Sequence, residues 1–250
     1  MCNMQNDRYL RNIKLTELGE YGQEVLFKAK ALVVGAGGLG CSALYGLACA
    51  GIGNIHLLDH DVIELSNLNR QFAYTPSDLT KLKASTIVQK LIQFAPDLKI
   101  SFDAIKVTEE WLNKYLSIYD VVLDCCDNFL ATYMIGDACV KHKKKFITVS
   151  AVAWRGQGYA VLPDSPCHRC LLPECPEESD APRSADYGIL GAVAHTFGSW
   201  QATEAIKALL DLDKEQGTRL TSYDAKIGRW KTMTRSYSQQ CKFHQSVIHK

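Results

Sequence analysis

Apolar positions along this chain fall into two alternating rhythms. Short continuous runs rich in Val, Ile and Leu, at 31–34, 55–59, 99–105, 120–124 and 146–150, have the length of strands buried on both faces. Between them, apolar residues recur at helical spacing over 21–28, the segment following the glycines at 35–40, 76–94, 108–116 and 129–140, with Pro96 closing the helix at 76–94. Regular alternation of strand and helix predicts a parallel sheet wound on both faces. After residue 151 the rhythm changes. A strand at 158–162 enters a proline- and acid-rich loop over 163–187, a long helix spans 191–210, and strands follow at 219–223 and 230–234. A loop of that length is uncommon in a compact domain unless it is functional or mobile. The expected fold class is α/β, doubly wound and mainly parallel, with a C-terminal strand extension.

The run at 31–34 passes directly into Gly35, Gly37, Gly38 and Gly40 and then into a helical pattern. Strand, turn and helix give the spacing Gly35, Gly37, Gly40 a physical meaning: the first glycine permits the turn, the second lets backbone approach a phosphate, and the third lets helix pack on strand. The helix N-terminus then faces the anion with free N–H groups and a favourable dipole. Asp59 closes the next strand, where an acid reaches a nucleotide ribose. The polar loop 61–71 follows at a strand's carboxyl end, where open α/β sheets place ligands. A Rossmann-like nucleotide site is expected. A single domain over 1–250 is predicted, with a nucleotide-binding half at about 7–150 and a second part at about 151–250.

Hydrophobic content of 47% is ample for a full core, and a net charge of +1 gives no sign of a polyanion-binding surface. The basic run 141–145 falls at a helix end, where cations suit both the dipole and water. No membrane or nucleic-acid partner is expected. The charge-free run 31–55 is long enough to span a bilayer, but seven glycines interrupt it and a strand followed by a buried helix explains it. Charges at Asp7, Arg8, Arg11, Lys14, Glu17 and Glu20 predict no signal peptide in this stretch. Cys41, Cys49, Cys125, Cys126 and Cys139 lie in or beside apolar segments, as small buried hydrophobes do. A reducing cytoplasm fits that usage.

Cys167-His-Arg-Cys170 and Cys241-Lys-Phe-His244 form two knuckles with two ligands three residues apart in each. Tetrahedral zinc needs such turns, because both side chains can converge on one ion. Cys167, Cys170, Cys241 and His244 would make a closed, structural site that pins the tail. His168 and Cys175 compete for places in the set.

The combination of Arg8-Tyr-Leu-Arg11, the glycine turn, Leu58-Asp59, Ser66-Asn-Leu-Asn-Arg-Gln71, Lys83, Asp124-Cys-Cys-Asp-Asn128 and the two knuckles resembles the ThiF/MoeB/HesA type of the ubiquitin-activating-enzyme superfamily. The resemblance runs from about residue 7 to 244. It implies an adenylyltransferase that uses ATP and Mg2+ to adenylate the C-terminal glycine carboxylate of a ubiquitin-like sulfur-carrier protein ending in Gly-Gly, with release of pyrophosphate. Thiamine and molybdenum-cofactor biosynthesis use such enzymes. By the same resemblance Asp59 holds the ATP ribose, Asn67, Arg70 and Lys83 bind phosphates, Gln71 supports them, and Asp127 holds Mg2+. Arg11 reaches the neighbouring subunit's phosphates, which implies a homodimer. The residue types suit the chemistry, since a carboxylate attacking a phosphate needs cations to relieve charge repulsion. The competing readings are solvent-facing charge for Arg70 and Lys83 and a helix cap for Asp127.

Two departures from the family pattern matter. His244 stands where relatives usually have a cysteine, and Ser184 stands in the crossover region where many carry one. Cys175 has an acidic, proline-rich neighbourhood that does not favour a thiolate. An acyl-adenylate released to a separate sulfurtransferase is therefore expected, rather than a covalent enzyme intermediate. The carrier's globular part is expected on the later strands and crossover loop, where Trp154 and Trp230 are either contact or core residues. The alternatives are a tRNA-modifying dehydratase of the same superfamily, an NAD-dependent oxidoreductase, and a silent binding subunit.

Overall fold

The computed structural model describes residues 7–177 and 184–244, with the backbone alone of 184 and 185. A helical turn at Leu10–Ile13 leads into α1 (Gly19–Lys28), β1 (Lys30–Val34), α2 (Gly38–Ala50) and β2 (Asn54–Leu58). Next come α3 (Lys83–Phe94), β3 (Lys99–Asp103), α4 (Glu109–Tyr115), β4 (Val121–Asp124), α5 (Phe129–Lys141) and β5 (Lys145–Val152). The chain then forms β6 (Arg155–Val161), α6 (Gly191–Leu210), β7 (Arg219–Asp224) and β8 (Arg229–Thr234).

All eight strands join one sheet in the order β3-β2-β1-β4-β5-β6-β7-β8. The first five in that order pair in parallel and the last three pair antiparallel. This is the expected doubly wound sheet with its C-terminal extension. Side chains of β1 alternate between two cores, as a strand period of two requires. Ala31 and Val33 join Leu26, Leu44, Leu47 and Ala202 on one side. Leu32 and Val34 join Leu112, Ile135 and Phe146 on the other, together with Cys167 and Cys241. The tail thus packs against the second core. Among the described residues no helix is long and apolar enough to cross a membrane.

The helix expected over 76–94 is shorter than its apolar pattern. A single 3-10 turn, Pro76–Asp78, comes first, and the α-helix begins only at Lys83. Asp78 explains the break: its carboxylate accepts from the Thr75 N–H and hydroxyl, and pairs with Lys81 and Lys90. Thr80 then takes φ +69°, which ends any helical path. The loop at 163–187 holds short helical turns at His168–Leu171 and Ser184–Tyr187. Residues 178–183 lie outside the described residues, as does the side chain of Ser184. Cys41, Cys125 and Cys139 are buried as expected, but Cys49 is exposed on α2.

Candidate functional site

The strand order reverses between β1 and β4, and this opens a crevice at their carboxyl ends. The glycine turn lies there. Gly35 adopts φ +98°, and a Cβ on it would come within 2.7 Å of the Cys125 carbonyl oxygen. A Cβ on Gly40 would meet the Gly35 carbonyl oxygen at 2.0 Å, so strand and helix close up only with glycine. The crevice is part of a cavity of about 1040 Å³. Gly35, Gly37, Gly38, Asp59, Arg70 and Lys83 line it, and so do Asn67, Gln71 and Asp127. It continues over the face of β5–β8 past Ser150, Arg155, Arg229 and Lys231. That volume exceeds what a nucleotide alone needs, leaving room for a second ligand.

Asp59 is fixed by its own surroundings. Its carboxylate accepts from the Ala36 N–H at 2.7 Å and the Asp61 N–H at 2.8 Å, which ties the ends of β1 and β2 together. Burial pushes its carboxyl above the usual range, against these two N–H groups and Lys83. Asn67 is buried and accepts from the Glu64 N–H at 3.2 Å. Gln71 is buried with its Oε1 unpartnered, and its Nε2 lies 3.8 Å from where a Cβ on Gly37 would sit. Tyr74 fixes the same corner by donating its hydroxyl to the Ala36 carbonyl at 2.9 Å.

Lys83 is not a solvent-facing charge, and Arg70 is half-buried. Lys83 is only 6% exposed, and its Nζ donates to Asp61 Oδ2 at 2.9 Å. Arg70 turns back on its loop, donating to the Ser66 carbonyl at 2.8 Å and Asn69 Oδ1 at 3.0 Å. The helix-cap reading of Asp127 is settled by its neighbour. Asn128 is the N-cap of α5 and accepts from the Ala131 N–H at 2.8 Å, leaving Asp127 exposed on the cavity wall. Arg11 is exposed on the turn Leu10–Ile13 and does not line the cavity of its own chain.

Two residues at the site escaped sequence reasoning. Asp61 partners Lys83, and its place two residues after Asp59 at a strand end was a usable signal. His195 on α6 bonds through Nε2 to the Arg70 carbonyl at 2.8 Å, and a single histidine on a helix gives no such signal.

The two knuckles converge. The ligand atoms of Cys167, Cys170, Cys241 and His244 all lie within 4.8 Å of one another. Cys167 Sγ and Cys241 Sγ are 3.5 Å apart, and His244 Nδ1 is 3.3 Å from Cys170 Sγ and 3.5 Å from Cys241 Sγ. Tetrahedral zinc, with Zn–S near 2.3 Å and Zn–N near 2.0–2.1 Å, sets its ligand atoms about 3.5–3.8 Å apart. The donor set fits. His168 lies outside the cluster, since its Nδ1 edge packs on Gly136 of α5 and its Nε2 meets Asp137 at 2.8 Å. Cys175 lies outside the cluster, and burial pushes its thiol up. Asp137 also receives Arg169 and Lys242, so one carboxylate holds residues inside both knuckles. Trp154 and Trp230 are 44% and 48% exposed, the latter stacked on Tyr223 at 4.4 Å.

The SAMP-activating enzyme E1 of Haloferax volcanii is 36% identical over 237 residues, covering 95% of this chain and 88% of that protein. The sulfur carrier protein ThiS adenylyltransferase of Escherichia coli is 36% identical over 236 residues, covering 94% and 93%. The adenylyltransferase and sulfurtransferase MOCS3 of Anopheles gambiae is 38% identical over 237 residues, covering 93% of this chain. This chain spans only 54% of that relative's length. The crystal structure of E. coli MccB with ATP superimposes with a TM-score of 0.82 at 22% identity, covering 95% of this chain and 74% of that one; at this identity the likeness speaks to the fold. The model of the ThiF family matches residues 9–243, and the chain belongs to that family.

Proposed function

We propose that this protein adenylates the C-terminal glycine carboxylate of a ubiquitin-like sulfur-carrier protein at the expense of ATP. The observation that carries the reading is the convergence of Asp59, Asn67, Arg70, Lys83 and Asp127 on one cavity at the strand-order reversal. A carboxylate oxygen of the carrier attacks the α-phosphorus, an acyl–phosphate bond forms, and the bond to pyrophosphate breaks. No general base is needed, because a C-terminal carboxylate is already ionised at neutral pH.

The residues divide the work by position. Asp59 holds the ribose. The glycine turn, with the N-terminus of α2 behind it, lies against the phosphates. Asn67, Arg70 and Lys83 supply donors and positive charge where charge builds up on the phosphate oxygens, with Gln71 in support. Asp127 would hold the magnesium ion, which neutralises phosphate charge when bound. Arg70 bonds Ser66 and Asn69 through Nη1 alone and Lys83 gives one bond to Asp61, so each keeps N–H groups for phosphate. The catalytic set is Arg11, Arg70, Lys83 and Asp127, with Arg11 acting on the partner's site in a homodimer.

The carrier's tail threads along the cavity over β5–β8, and its globular part rests on the later strands and the crossover loop, beside Trp154. Residues 7–150 form the nucleotide-binding half and 151–250 the carrier-binding half of one domain. Zinc held by Cys167, Cys170, Cys241 and His244 is structural, since four protein ligands leave no open position. The acyl-adenylate passes to a separate sulfurtransferase in a reducing cytoplasm, within thiamine or molybdenum-cofactor biosynthesis. Exchange of labelled pyrophosphate into ATP tests the reading, with candidate carriers added one at a time. Exchange that requires one carrier with its terminal Gly-Gly supports it. Exchange with none, while ATP still binds, favours the dehydratase or a silent subunit.

A further inference from the structure

One cation is buried without an acid. Arg235, just beyond β8, is 5% exposed, and no carboxylate lies within ion-pairing distance of it among the described residues. Its guanidinium donates to the carbonyls of Ala160 and Gly217, the latter at 2.6 Å, and its Nε has no partner. It stacks over the Tyr159 ring at 4.4 Å. Carbonyls and a ring can satisfy some N–H groups, but they do not cancel a charge. A buried charge is costly unless an opposite charge meets it. The remaining contact points to that opposite charge: Nη1 faces the carbonyl of Cys167 at 3.5 Å, beside the Cys/His cluster.

We propose that Arg235 is the counter-cation of the metal-loaded cluster, an assignment that rests on the zinc reading above. Three thiolates, one neutral imidazole and a divalent ion leave one net negative charge inside the protein. Arg235 directs a buried positive charge toward it from the side of Cys167. Lys242 and Arg169 lie inside the two knuckles and share Asp137, which answers one of their two charges. Arg235 is therefore a positioning residue for the metal. Metal and Arg235 stabilise one another.

The test is a thermodynamic cycle on the full-length protein. R235Q keeps hydrogen-bonding groups but loses the charge, whereas R235K keeps the charge but loses the planar fork. Zinc retention is measured by competition with a chromophoric chelator, and thermal midpoints are taken with zinc and after its removal. The expected result is a loss of zinc affinity of about 10–100-fold in R235Q, the range for groups that support metal ligands, and a loss of less than about 10-fold in R235K. R235Q is expected to lower the midpoint of the zinc form much more than that of the metal-free form. Equal zinc affinity in R235Q and the native protein, or equal loss of midpoint in both forms, would overturn the assignment while leaving the zinc site standing. A native protein that retains no zinc would overturn both.

Discussion

Lys83 illustrates how a buried cation that the proposed reading gives to phosphate is held inside the protein. At 6% exposure it needs an anion, and Asp61 at 2.9 Å supplies one from a half-exposed position. A triphosphate is a stronger anion and can replace it. K83M removes the charge that answers the developing phosphate charge, so pyrophosphate exchange should fall by about 100–1,000-fold with the fold intact. Circular dichroism alongside the exchange assay separates the two effects. The Cys175 thiol is raised by burial, so little thiolate is present at neutral pH. C175S should leave exchange within about 2-fold of native, and a complete loss would restore a covalent role for that loop. Asp59 and the glycines were legible in the sequence because their chemistry is tied to strand ends. Asp61 and His195 were harder, because their roles depend on partners 22 and 125 residues away.

Among the elements, the segment before α3 shows local chemistry overriding periodicity. The apolar pattern continues through 76–94, yet the Asp78 carboxylate gathers Thr75, Lys81 and Lys90 into a closed turn. The hydrogen bond from Lys90 holds the Asp78 carboxyl well below the usual range. Its folded pKa lies below its unfolded value of about 3.9, so Asp78 adds stability above that value and loses it as pH falls through the folded pKa. D78A should cost about 1–2 kcal/mol at neutral pH, or roughly 2–8 °C of melting midpoint. The gap between D78A and native should narrow as the pH is lowered below about 4. The turn also delivers Lys83 at the first position of α3, pointing at the cavity rather than along an exposed helix face. Helix 191–210, by contrast, runs as expected: Thr196 and Thr203 bond back to the carbonyls of Ala192 and Ser199 one turn earlier without interrupting it. G40A should be severe, since the Gly35 carbonyl would sit 2.0 Å from the new Cβ. The turn must open, costing about 3 kcal/mol or more, and ATP binding should be lost with it.

At the scale of the whole molecule, two closures define the architecture. The strand-order reversal places the proposed nucleotide cavity, and the Cys/His cluster brings residues 241–244 against the core beneath α4 and α5. The first was legible from strand and helix alternation. The second was legible as ligand spacing, His244 included, and the fold removes the competitor His168, whose Nδ1 edge packs on Gly136 of α5. Removal of the proposed zinc should therefore loosen residues 241–244 without emptying the proposed nucleotide site: the melting midpoint should fall, and ATP should still bind. The most direct measurement of the central claim is the intact mass of carrier and enzyme after incubation with ATP and Mg2+. A carrier that gains one adenylyl group at its terminal glycine, with the enzyme's mass unchanged, is the expected result. An unmodified carrier, or a carrier joined covalently to the enzyme, would contradict it.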